Sequence, residues 1–316
     1  MGLLTLPRRG RRSHALVVPL AIAAALASCS TRDPGDLLTG SEAGLLVVDA
    51  VLIVDEELPT VFLSRALDLD DPFASGAAVE VGAGVTIVAG GEEIEYVEDL
   101  PGRYVPLLTK VVGPHETYAL TVIPRRGPVL RATTTTPARL ATPEWLVLDE
   151  STQTVTRELE GFSGSEEDVF DANELVYAEG LLEARFDRPD VAAFQVALFS
   201  LDPESDYVID PDFFDEEDFE DLDRVNYSPP LAGSNGRLRL PWFAIFFEGR
   251  YKIRIYAVDD NWYDLIRSSP AFGAGQGFGG NAGDSFERPI FRVEGGIGLF
   301  GSGSVDSVGF RVLPRP

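Results

Sequence analysis

From Leu45 to Thr135 the chain is broken into short apolar or alternating runs separated by glycine, proline and aspartate, and almost no window sustains a helical period. That pattern commits it to strands. The runs are Leu45 to Val54, Thr60 to Arg65, Ala78 to Val81, Gly84 to Val88, Ile94 to Val97, Gly102 to Leu107, Tyr118 to Ile123 and Leu130 to Thr135. Turn signals stand between them at Asp70-Asp71-Pro72, Gly90-Gly91, Leu100-Pro101-Gly102 and Arg126-Gly127-Pro128. In one run Tyr118, Leu120 and Val122 point to a single face, as a half-buried strand requires. Seven or eight strands in about 95 residues predict an immunoglobulin-like or transthyretin-like sandwich over residues 44–137.

Thr133 to Pro143, with five threonines and two prolines, reads as a junction. A second β-rich domain is expected over 144–316, with strands at Leu181 to Phe186, Ala193 to Leu201, Arg237 to Leu240 and Tyr251 to Val258. Asp259 is placed to cap one short helix running to about Arg267, and two strands, near Ile290 to Val293 and Val308 to Leu313, close the chain. The expected fold class is therefore mainly β: two β-sandwich-like domains with one short helix in the second.

Ahead of the strands, Arg8, Arg9, Arg11 and Arg12 precede an apolar run from Ala15 to Ala27, too short to span a bilayer as a helix. Residues 1–28 read as a cleavable export signal. Leu26-Ala27-Ser28-Cys29 matches the lipoprotein-processing site, at which the Cys29 thiol receives a diacylglycerol and becomes the first mature residue. Ordinary cleavage after Ala27 is the alternative, and would release a soluble periplasmic protein. Two or three acyl chains on one cysteine hold a protein on a membrane where one would not. Residues 29–43, polar with Pro34, Gly35 and Gly40, read as a flexible tether. Ser30 is not the aspartate that commonly retains lipoproteins in the inner membrane, which favours the outer membrane.

Loss of residues 1–28 removes four of 26 basic residues and none of the 51 acidic ones, leaving a net charge of about −29. Such a surface repels phosphate backbones, so nucleic acid is not an expected partner, and attachment to membrane falls to the acyl groups on Cys29. Cys29 is the only cysteine, so no disulfide can form and packing alone must stabilise the fold.

Chemistry-bearing patterns are sparse. His14 leaves with the signal, so His115 is the one mature histidine, in a turn where solvation explains it. A zinc site of the histidine and cysteine type and a cysteine nucleophile are excluded, and no cofactor is called for. Gly161-Phe162-Ser163-Gly164-Ser165 lacks the strand that leads into a hydrolase elbow, and Gly273 to Gly280 has the wrong context for a dinucleotide loop. The acidic segment 202–223 holds twelve carboxylates, and Asp202, Glu204 and Asp206 alternate as calcium ligands can, though a solvated insertion is the simpler reading. The three tryptophans are expected in the core, with Trp262 and Tyr263 partly exposed.

The lipoprotein signal, the strand Leu46 to Ala50, the Gly102-Arg103-Tyr104 turn, the strand Thr117 to Val122 and the segment Glu294-Gly295-Gly296-Ile297-Gly298-Leu299-Phe300-Gly301 together resemble the bacterial envelope lipoproteins known as domain of unknown function 4249. Arg292 departs from that likeness, since an asparagine is usual there, and so does the acidic insertion. The resemblance implies an accessory lipoprotein working with a TonB-dependent receptor, and it implies no activity. In that picture the segment Gly295 to Gly301 allows a ligand or receptor close backbone approach. A carboxylate-dependent envelope hydrolase acting on carbohydrate is the alternative, though 51 acids always supply candidate pairs.

Overall fold

The computed structural model describes residues 43–67, 78–140, 144–161, 166–186, 191–209, 224–231, 236–240, 242–268 and 289–315. The export signal, the tether up to residue 42, most of the acidic segment and the 273–280 loop lie outside them.

Alternation places the first half as expected. Strands β1 (Leu46–Ile53), β2 (Val61–Arg65), β3 (Gly84–Ala89), β4 (Glu92–Leu100), β5 (Arg103–Pro106), β6 (Thr117–Ile123) and β7 (Leu130–Thr135) bury every second side chain over most of their length. They are hydrogen-bonded antiparallel in the order β1-β2-β5-β4-β3-β6-β7. Their inward residues form one core, in which Val48, Leu52, Ile87, Tyr104, Tyr118 and Leu120 are almost wholly buried. The expected strand Ala78 to Val81 is reduced to a single bridge from Val79 to Ser64. Tyr104 explains why that segment stays in place: its hydroxyl accepts from the Ala83 amide and donates to the Glu80 carbonyl, both at 3.0 Å.

The second half contributes β8 (Glu144–Leu148), β9 (Val155–Glu158), helix α1 (Glu166–Ala172), β10 (Glu174–Val176), β11 (Leu181–Arg185), β12 (Ala193–Ser200), β13 (Val225–Tyr227) and β14 (Arg237–Leu240). These are followed by β15 (Gly249–Val258), helix α2 (Asp260–Ser268), β16 (Val293–Glu294) and β17 (Gly296–Leu313). A four-stranded sheet runs β14-β11-β8-β9, and the remaining thirteen strands form one continuous sheet. Among the described residues two α-helices are present rather than one. α1 carries Val169 and Phe170, both buried.

β17 joins the two halves. Gly296 to Gly303 pair in parallel with β1, and Gly303 to Val312 pair antiparallel with β15. Its Phe300 belongs to the first core, while Val308, Phe310 and Val312 belong to the second, beside Trp145, Trp242, Tyr251, Ile253 and Ile255. Between these apolar ends lie Gly301, Ser302, Gly303 and Ser304, all buried, and a Cβ on Gly301 or Gly303 would stand 3.3 or 3.1 Å from Trp262. The two expected closing strands are thus a two-residue β16, pairing with β7, and one eighteen-residue strand that includes the glycine segment.

That segment also differs from its expected role. A Cβ on Gly298 would stand 2.0 Å from the Val48 carbonyl oxygen, at a backbone φ of +111°. One on Gly296 would stand 2.5 Å from the Leu46 oxygen. The close approach that glycine permits here is made by the chain's own β1, not by a ligand.

Candidate functional site

Sequence reasoning flagged the threonine run only as a junction, and the structure opens a cleft of about 350 Å³ beside it. Thr133 to Pro137 form one wall as β7 ends. Val191 and Ala192 ahead of β12, Val258 to Asn261 at the start of α2, and Arg292 ahead of β16 complete it, with His115 at the rim. The side-chain groups that line it are hydroxyls, one guanidinium, one imidazole, one carboxamide and two carboxylates.

Asp259 anchors the floor in the capping role the sequence assigned it. Its Oδ1 accepts the Trp262 amide at 3.0 Å, satisfying a free N–H of the first turn of α2, and also accepts the Ser302 amide at 3.1 Å. Its Oδ2 accepts the Thr134 hydroxyl at 2.5 Å, and Thr134 lies 2.7 Å from the Ser302 hydroxyl. Burial pushes the Asp259 carboxyl above its ordinary range, opposed by the bonds from Thr134, Trp262 and Ser302. Next to it, the Asn261 amide donates to the Thr133 carbonyl at 2.7 Å and the Phe300 carbonyl at 2.8 Å. Side chains of α2 therefore hold β7 and β17 in fixed relation, and the cleft is built on rigid elements.

Arg292 is similarly occupied. Its Nε donates to Asp264 at 2.5 Å, and Asp264 also receives Arg267 at 2.7 Å. Desolvation raises the Asp264 carboxyl, but the two guanidiniums outweigh it and leave the group below its ordinary range. The residue that departs from the family likeness thus has a local structural partner.

His115 is exposed and left-handed at φ +55°, with its amide bonded to the Thr136 carbonyl at 3.1 Å, as its turn position implied. The acidic alternation does not form a cation cage among the described residues. Asp202 is taken by Arg250, whose amide, Nε and terminal nitrogen reach it at 2.7, 2.8 and 2.6 Å. Of Gly161 to Ser165, only Gly161 is described. Trp145 and Trp242 are core residues, and Trp262 is half-buried, packing over Gly301 and Gly303 with its Nε1 donating to Gln195 at 3.1 Å.

Elsewhere the most buried acid of the small sheet, Glu183, lies between Arg185 at 2.7 Å and Arg239 at 3.2 Å. Desolvation raises it and the two arginines bring it below its usual range. Asp306 and Asp49 are raised by desolvation. Cys29, the lipid-attachment candidate, lies outside the described residues, and no described helix is long and apolar enough to cross a membrane.

No curated protein matches the chain. The family model described as a domain of unknown function, DUF4249, matches residues 33–308, which takes in the first core, the second core up to Val308, the cleft and most of the shared strand β17. The chain belongs to that family.

Proposed function

We propose that this protein is an accessory lipoprotein held on the outer membrane by acyl groups on Cys29, without a reaction of its own, and that it works with a TonB-dependent receptor. The observation that carries the reading is Leu26-Ala27-Ser28-Cys29 behind the arginine-led apolar run. The side-chain chemistry supports the non-catalytic part. Asp264 and Glu183 are each held ionised by two arginines, and the Asp259 oxygens are occupied by the cap, so none is free to trade a proton with a substrate. The cleft then serves as a polar recess of fixed shape for a small solute or a partner loop.

Crosslinking in intact cells, followed by purification from detergent-solubilised outer membrane, tests the pairing. A TonB-dependent receptor is expected to co-purify with the wild-type chain. Its consistent absence, or hydrolysis of a polysaccharide that is lost on a single carboxylate substitution, would overturn the reading.

A further inference from the structure

In the second half, the sheet face turned away from the core carries a helix at each end. At one end Arg250 lies over the Phe170 ring of α1 and Arg311 reaches Asp171 at 2.9 Å; at the other, Trp262 of α2 packs over Gly303. Between them the register across β13, β12, β15 and β17 sets Tyr227, Ala197, Arg254 and Ser307 in one row, with Phe199 and Tyr256 in the rows on either side. No carboxylate stands in these rows. The four strands hold one acid in all, Asp306, and it pairs with the wholly buried Ile255, which puts it on the core side.

Arg254 is half-buried in this face, and its surroundings leave its charge unmatched. The guanidinium lies over the Phe199 ring, 5.4 Å from the centroid, and one terminal nitrogen is 3.4 Å from the Tyr256 hydroxyl. No carboxylate reaches it among the described residues. Guanidinium donors lie in the plane of the group, so a ring beneath it leaves them available to an acceptor arriving at its edge. Aromatic surface continues on both flanks: Phe199 meets Tyr227 edge-on with centroids 6.3 Å apart, and Tyr256 packs on Trp262 at 5.3 Å. Burial raises the Tyr227 hydroxyl above its ordinary value, Tyr256 adds to this and Arg254 opposes it, so the three polar ends converge. At neutral pH the Tyr227 hydroxyl therefore keeps its proton and can donate it.

We propose that this face binds a small, ring-bearing organic carboxylate, its anion on Arg254 between the Tyr227 and Tyr256 hydroxyls and its ring against the neighbouring aromatic side chains. The planar fork of the guanidinium matches the two oxygens of a carboxylate, and the phenols add donors beside it. Exposed ring faces and edges take an apolar ring with little loss of their own freedom. A chain whose formal charge is −25 repels polyanions, whereas a monoanion meets a local cation with no acid in its rows. The site is separate from the cleft, where Arg292 is already held by Asp264 at 2.5 Å, and it does not depend on the anchoring of Cys29.

Saturation-transfer NMR on the full mature chain tests this with benzoate and glucuronate, each set against an uncharged counterpart, benzyl alcohol and glucose. Transfer to at least one carboxylate is expected, several-fold stronger than to its counterpart; benzoate alone marks an aromatic acid as the ligand, glucuronate alone a sugar acid. Arg254→Gln should weaken that binding about tenfold and Tyr227→Phe a few-fold. No transfer to either carboxylate, equal transfer to the charged and uncharged members of a pair, or undiminished binding by Arg254→Gln overturns the proposal. So does binding that is lost in Arg292→Gln and kept in Arg254→Gln, which places the anion in the cleft. Should Arg254→Gln fail to fold, the double variant Tyr227→Phe, Tyr256→Phe decides, since it removes two hydroxyls and leaves the rings in place: weakened binding supports the site, and unchanged binding refutes it.

Discussion

Two aspartates, one capping α2 and one within it, show how environment sets the sign of a charge's contribution. Asp264 sits below its ordinary range because two arginines face it, so its stabilisation is present above the unfolded carboxyl value, about 4, and is lost as pH falls through the lowered folded value. Asp259 sits above its ordinary range because it is buried, so its contribution is full below about pH 4 and is lost as pH rises through the raised value. Denaturant unfolding at pH 3.5 and pH 7 should therefore show Asp264→Asn costing most at pH 7, while Asp259→Asn compares more favourably with wild type at pH 7 than at pH 3.5. Parallel changes in the two variants would contradict these assignments. At Gly298 an added methyl meets the Val48 oxygen, and we expect Gly298→Ala to cost at least about 3 kcal/mol or to prevent folding. Gly91→Ala, at φ +83° with open space around it, should cost only about 1 kcal/mol. Glu183→Gln removes the charge that both arginines share and should cost about 2 kcal/mol by thermal or denaturant unfolding.

Elements with clean alternation or a clear cap were legible in the sequence. β1, β6, β7, β14 and the capped helix α2 fall within a residue or two of their expected positions, because their inward residues recur at the period of the element. β17 was not legible as one strand. Its first half is rich in glycine and serine, residues with little strand preference, and it is held by parallel pairing to β1 some 250 positions earlier, which no local pattern encodes. β9 and β13 are short and mostly exposed, so no apolar period announces them. The cleft was equally hidden, being made where β7, α2 and the residue before β16 meet; only the threonine run hinted at it. Since β17 supplies both cores, native-state hydrogen exchange should find its interior amides among the most protected in the chain. Fast exchange of residues 299–310 under conditions that protect β6 would remove β17 from its central place.

At the scale of the whole molecule, one strand contributes to both cores, and from that coupling heating is expected to give one cooperative transition rather than two. With no disulfide available, that cooperativity is supplied by packing and hydrogen bonds alone. The family match and the β architecture follow from residues 33–315, but the proposed location follows from the first 29 residues. Those residues carry the account's central claim. Intact-mass and fragment spectrometry of protein purified from native membranes tests it most directly. The account predicts a chain that begins at Cys29, with a diacylglyceryl thioether on its sulfur. A chain that begins elsewhere, or a Cys29 bearing a free thiol, would contradict it.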